Sequence, residues 1–165
     1  MDESGFTPSD EGRERVIRRR GTKTQHKQGG ADHENVTALV TICADGTVLK
    51  PSIIYKGKNF MMKWTANNVA GASIAHSPNG WMDGELGLEW IKDFNAQTEA
   101  KAKGHTHILL LDEHSSHHTL KLLAFAKDHN IKILGYPPHC THALQGLDVV
   151  CFARMKEIWK QEVHE

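Results

Sequence analysis

The sequence predicts an α/β domain in which helices flank a mixed sheet. Three observations predict it. Ile108 to Leu111 is a short unbroken apolar run that stops at the carboxylate Asp112 and is followed by a helical pattern. Two β-branched, apolar runs, Val36 to Ala44 and Val48 to Tyr55, are separated by Asp45-Gly46, a strong hairpin signal. Helical and strand patterns then alternate to the end of the chain, the signature of helices packed on a sheet.

The elements follow in order. Met1 to Phe6 reads as the tail of a strand carrying Asp2 and Glu3, and the acidic motif so close to Met1 leads us to expect a fragment cut inside its first element. Thr7 to Gly12 is rich in breakers. Val16 and Ile17 suggest a short strand within a basic run, and Thr22 to Glu34 reads as a mobile loop. Pro51 predicts that the second hairpin strand is bulged or lies at an edge. Gly57 to Pro78 reads as irregular, with Phe60 and Trp64 inside it. Leu86, Trp90, Ile91 and Phe94 fall at helical spacing behind Asp83, a suitable N-cap, and Gly104 ends that helix. The run to Asp112 suits a strand buried on both faces. Leu120, Leu123, Ala124 and Lys127 trace a second helix stopping at Asn130. Ile131 to Leu134 is a strand, and Gly135 to Gly146 a loop. Phe152, Met155 and Trp159 mark a terminal helix with Asp148 in its first turn.

The 165 residues are one domain's length, with 20 basic and 20 acidic residues, so bulk charge selects no partner. The basic residues are unevenly placed: Arg13, Arg15, Arg18, Arg19, Arg20, Lys23 and Lys27 cluster early. No apolar run reaches membrane-spanning length, and no signal peptide opens the chain. Cys43, Cys140 and Cys151 form no CxxC pair, which fits reduced thiols in an intracellular protein.

Three acids stand in matching contexts: Asp2 on the first strand, Asp112 at a strand's carboxyl end and Asp148 on the last helix. An acid at a strand end is commonly only a cap or turn residue. Acids from three elements can also converge on hard divalent cations, which take oxygen ligands. Two such ions about 4 Å apart clamp the attacking and leaving oxygens of a phosphoryl transfer. Without metal, neighbouring carboxylates repel, and one keeps a proton.

The segments DESGF, VTALVTICADGTVLKPSIIYKGK, NGWMDGELGLEWIKDF, LLLDEHSSHH and YPPHCTHALQGLDVVCFARMK occur in that order. Together they resemble the catalytic core of DDE superfamily endonucleases, the pogo-type (Tigger-like) transposases, in a fungal flavour, over nearly the whole chain. The resemblance implies a single ribonuclease-H-like domain over residues 1–165 with its first strand incomplete. That strand is normally central, so apolar surface and backbone beside it are expected to be exposed. The resemblance also implies DNA as partner, two Mg²⁺ or Mn²⁺ ions held by Asp2, Asp112 and Asp148, and cleavage followed by joining of a 3′-hydroxyl to target DNA. A homodimer, a nuclear location, no membrane partner and no small-molecule substrate go with it.

Three departures from the family pattern bear on activity: the missing lead-in to the first strand, the lack of a helix-turn-helix segment, and Glu113 where Gly or Asn is usual. They keep open a second reading, an inactive domesticated or relic DNA-binding module, and a third, a truncated gene product.

Arg18, Arg19, Arg20 and Lys23 are candidate phosphate contacts, against the alternative of a solvated strand and loop. His117 is a candidate for lining the site or touching phosphate. Gln145 either holds a phosphate or orders its loop. Glu3 and Glu113 alternate with their neighbours and are expected to point away from the site. The histidines His114, His117, His118, His139 and His142 show no zinc-ligand spacing. The four tryptophans read as packing residues rather than base-stacking platforms.

Overall fold

A computed structural model describes residues 1–7, 35–112, 119–137 and 145–163. The expected strand at Val16 and Ile17, the loop to Glu34 and most of the loop before Gly146 lie outside the described residues. The strands are β1 (Asp2–Phe6), β2 (Val36–Val40), β3 (Ser52–Lys56), β4 (Ser73–Ser77), β5 (His107–Leu111) and β6 (Ile131–Gly135). The helices are α1 (Gly84–Ala102), α2 (Leu120–Asp128) and α3 (Ala153–Val163), the last entered through a π-helical turn at Leu147–Phe152.

One sheet has the order β1-β2-β3-β4, antiparallel at its first two junctions and parallel at the third. A second sheet pairs β5 with β6 in parallel. A hydrogen bond from Met1 N to Leu110 O, 2.8 Å, joins the two. The mixed sheet flanked by helices is therefore present.

The Asp-Gly signal marks a real turn. Gly46 has φ 82°, a left-handed conformation that glycine adopts without strain. Cys43 N donates to Thr47 O, and Asp45 accepts from both the N–H and the hydroxyl of Thr47. Those bonds, with Lys101 reaching across from α1, hold the Asp45 carboxyl down at about 2. Pro51 acts as a bulge and not as an edge marker. Leu39 pairs with Ser52 and Ile42 with Val48, so three steps on one strand face four on the other. The extra residue falls beside Pro51, whose missing N–H leaves no ladder bond to lose.

Two expectations need correction, and the helix traced by Leu120, Leu123, Ala124 and Lys127 is present with other residues turned inward. Gly57 to Pro78 is not irregular throughout: it holds a 3-10 turn at Met62–Thr65 and the edge strand β4. Polar Ser73, His76 and Ser77 masked β4, which is held by parallel pairing to β3. In α2 the inward residues are Leu122 and Ala126, while Leu120 is 86% exposed. The helix is capped by Thr119, whose hydroxyl accepts from Leu122 N. Finally, β5 is not buried on both faces. Leu109 and Leu111 enter the core, but Ile108 is 65% and Leu110 45% exposed. Among the described residues β5 pairs with β6 alone, and between it and the end of β2 lies a cavity of about 550 Å³ lined in part by Met1, Ile42, Ile108 and Leu110.

The core lies between the sheets and the first two helices. It gathers Leu39 and Ile54 from the larger sheet, Ile91 and Phe94 from α1, Leu109, Leu111 and Ile131 from the smaller, and Leu122 and Ala126 from α2. α1 is started by Asp83, whose carboxylate accepts from the N–H groups of Glu85 and Leu86. It stops at Lys103, in the left-handed conformation, just before Gly104.

Candidate active site

Asp2 opens β1 and faces inward. The alternation along the strand is strict, with Asp2, Ser4 and Phe6 buried and Glu3 and Gly5 less so, which puts Glu3 on the opposite face as expected. Glu3 N donates to Asp2 Oδ1 at 2.8 Å. Asp2 Oδ2 is buried without a hydrogen-bond partner. A buried carboxylate oxygen with no donor is costly unless something else satisfies it.

Asp112 follows β5 directly, half-buried, where the strand emerges from the core. The Met1–Leu110 hydrogen bond brings the start of β1 against the end of β5, so Asp2 and Asp112 stand on facing strand ends of two different sheets.

Asp148 sits in the π-helical turn before α3, exposed to solvent. α3 is pinned along β1 at its far end: Trp159 Nε1 donates to Thr7 O at 3.1 Å, and the Phe6 and Trp159 rings meet edge to face at 5.8 Å. From Asp148 to Trp159 a helix rises roughly 16 Å, and from Asp2 to Thr7 a strand spans about the same. Docking one end therefore delivers Asp148 to Asp2 at the other. Phe152, fully buried, fixes the intervening turn. The wide turn itself is a geometry that recurs where a helix must aim one side chain.

Asp2 senses the other two acids. Burial first, and then the charge of Asp148, push the Asp2 carboxyl up to about 6. Asp112 adds to the rise, while the N–H of Glu3 and the side chain of Gln145 oppose it. Gln145 is 5% exposed, and its carbonyl accepts from the N–H groups of Asp148 and Val149. Those two bonds go to its backbone carbonyl, while its side chain reaches Asp2. The neighbouring Met1 nitrogen, when an ammonium, has its pKa lowered by burial, against the pull of Asp2 and Asp112.

The donor set is all oxygen, which suits Mg²⁺ or Mn²⁺. Among the described residues no three His, Cys, Asp or Glu side chains are grouped tightly enough to cage a metal. Mg²⁺ seldom needs such a cage, being held by one or two carboxylates with water and substrate phosphate. The orphaned Oδ2 of Asp2 and its mutually repelling neighbours fit a cation at this place. Arg18, Arg19, Arg20, Lys23, Glu113 and His117 lie outside the described residues, as do His114, His118, His139, His142 and Cys140.

Three tryptophans meet neighbouring rings: Trp159 on Phe6, Trp90 stacked on Phe94 at 5.7 Å, and Trp64 stacked on Tyr55 at 4.7 Å. Trp81 lies over Gly5, where a Cβ would stand 2.8 Å from its Cη2.

Comparison with known proteins bears on the family and the fold. The profile of the family described as DDE superfamily endonuclease matches residues 33–165. A curated relative, named MFS-type transporter clz9, from Cochliobolus lunatus, is 36% identical over 133 residues. That match covers 80% of this chain but only 14% of the relative. Two solved structures share the fold. The Mos1 transposase paired-end complex with left transposon end superposes with TM-score 0.59 at 14% identity, covering 95% of this chain and 40% of that one. A pre-cleavage Mos1 transpososome gives 0.62 at 13% identity, covering 96% and 41%.

Proposed function

The chain belongs to the DDE superfamily endonucleases, and on that premise we propose that it acts on DNA through Asp2, Asp112 and Asp148, cutting a strand and transferring its end. The observation that carries this reading is the electrostatic convergence of the three acids: burial together with Asp148 and Asp112 raises Asp2. The Mos1 structures are a paired-end complex with a transposon end and a transpososome, which supports DNA as the partner here; a homodimer is part of the same proposal.

The three carboxylates would hold two divalent cations, Mg²⁺ or Mn²⁺, whose chemistry is to polarise the attacking and departing phosphoester oxygens. The chain's own residues do the rest. Asp2 must be ionised to serve, so binding strengthens as pH rises through about 6. Gln145 and the π-helical turn set the aim of Asp148. Arg18, Arg19, Arg20, Lys23 and His117 are proposed phosphate contacts, and the proposed location is nuclear. Among the described residues no helix is long and apolar enough to cross a membrane. The chain spans 14% of the relative named as a transporter, and no transport is proposed on that match.

The test is nicking of supercoiled plasmid DNA in Mn²⁺ by the parent and by Asp112→Asn. The parent should nick and the variant should lose at least a hundredfold in rate. Equal nicking by both would end the proposal. The exposure of Asp148 favours a second reading, a DNA-binding relic. It predicts salt-sensitive binding by both proteins and nicking by neither.

A further inference from the structure

Residues 46–82 contain four lysines, Lys50, Lys56, Lys58 and Lys63, and no Asp or Glu. This stretch builds β3, the 3-10 turn and β4, the outer half of the larger sheet. On it the rings of Tyr55, Phe60, Trp64 and His76 lock together. Trp64 stacks on Tyr55 with an interplanar angle of 2°, and Phe60 meets Trp64 edge-on at 5.7 Å. His76 closes the cluster at 6.1 Å from Phe60 and 6.3 Å from Trp64 and is tied through Nδ1 to Gly57 O. The turn is thus rigid, yet it presents apolar side chains to water. Phe60 is 42% exposed and Met62 76%, with Lys58 and Lys63 exposed on either side. Asp93 of α1 bonds Ser73, at the opposite end of β4 from the cluster.

Fixed aromatic and apolar side chains between cations, on a stretch that itself carries no Asp or Glu, match a single nucleic-acid strand: phosphates meet lysines and unpaired bases rest on the rings. A purely apolar protein partner would not call for the lysines. Position agrees. Tyr55 is level with Phe6 across the sheet, four residues along β1 from Asp2 and two strands over. That places the cluster roughly 15–20 Å from the carboxylates, about five nucleotides of a stacked strand.

We propose that the Phe60–Trp64 platform is a second nucleic-acid contact, which takes unpaired bases on Phe60 and Met62 and phosphates on Lys58 and Lys63. It rests on the reading that DNA is the partner.

The experiment is fluorescence anisotropy with a labelled twenty-nucleotide oligo-dT and, separately, its duplex with oligo-dA, across a salt series. Removing two phosphate contacts in a Lys58→Ala/Lys63→Ala double variant should lower the slope of log affinity against log salt by about 1.4 on the single strand. Phe60→Ala should weaken the single strand at least fivefold and the duplex little. Both variants change exposed residues, and a melt of each confirms folding. Sedimentation of the same samples reads self-association. Unchanged single-strand affinity in both variants, beside a parent that binds, would overturn the platform and leave the active-site reading standing. Loss of a dimer in Phe60→Ala, with DNA affinity intact, would overturn it in favour of a protein interface. A parent that binds neither oligonucleotide would take down the platform and the DNA reading together. Plasmid nicking by Asp112→Asn reports on the active site independently of all these.

Discussion

Replacing Asp2 by Asn should stabilise this protein above pH 6 while disabling it. The native Asp2 carboxyl sits at about 6 against an ordinary 3.8. Between those values the native state keeps a proton that the unfolded chain has released. Stability therefore falls as pH rises through that window and stays lower above it. Two units correspond to about 3 kcal/mol at full weight. Asp148 is exposed, so water reaches the site and screens part of this, leaving roughly 1–2 kcal/mol. Asparagine keeps the shape and removes the charge, so it recovers that amount. For a chain of this size the gain is about 2–8 °C in Tm. The assay is a thermal melt of parent and Asp2→Asn at pH 4, 6 and 8, without metal and then with Mn²⁺. Without metal the variant should melt higher at pH 8, and the gap should shrink toward zero at pH 4. With Mn²⁺ the parent should rise and the variant should not. A variant that melts lower than the parent at pH 8, or a gap indifferent to pH, would refute the reasoning.

Other outcomes follow from the packing. Ile91 is fully buried at the centre of the core, so Ile91→Ala should cost about 3 kcal/mol, read as a fall in the denaturant midpoint. Asp83→Ala removes the cap that receives the Glu85 and Leu86 N–H groups and should cost about 1 kcal/mol in the same titration. Gly5→Ala would set a methyl 2.8 Å from both the Trp81 ring and Asn35 Oδ1. It should displace Trp81, visible as a shift in tryptophan emission, with a loss of roughly 1–2 kcal/mol.

Much of the fold was legible because its signals are local. The Asp-Gly turn, the Asp83 cap and the apolar run of β5 each announce themselves within a few residues. β4 did not, because Ser73, His76 and Ser77 carry no apolar alternation and the strand exists through its parallel partner β3. The inward face of α2 was not legible for a related reason. Leu120 and Leu123 look like core residues by type, but only the position of β6 and α1 decides which side of so short a helix is covered. The double burial of β5 failed likewise, since periodicity says that a run is apolar and not whether a neighbour lies on both sides. At the site, the three acids were found by their contexts and by resemblance. The contribution of Gln145 was only half visible, because its neighbour Asp2 is 143 residues distant in the chain.

The division of the sheet has a mechanical consequence for those acids. Asp2 belongs to the larger sheet and Asp112 to the smaller, and the Met1–Leu110 hydrogen bond spans the seam between them. Any cation that engages both carboxylates is a staple across that seam. Its binding energy would be spent on holding two halves of the molecule together as well as on neutralising charge. The two halves should then exchange their amide hydrogens as separate units in its absence and as one in its presence, so that catalytic readiness and mechanical unity become the same event.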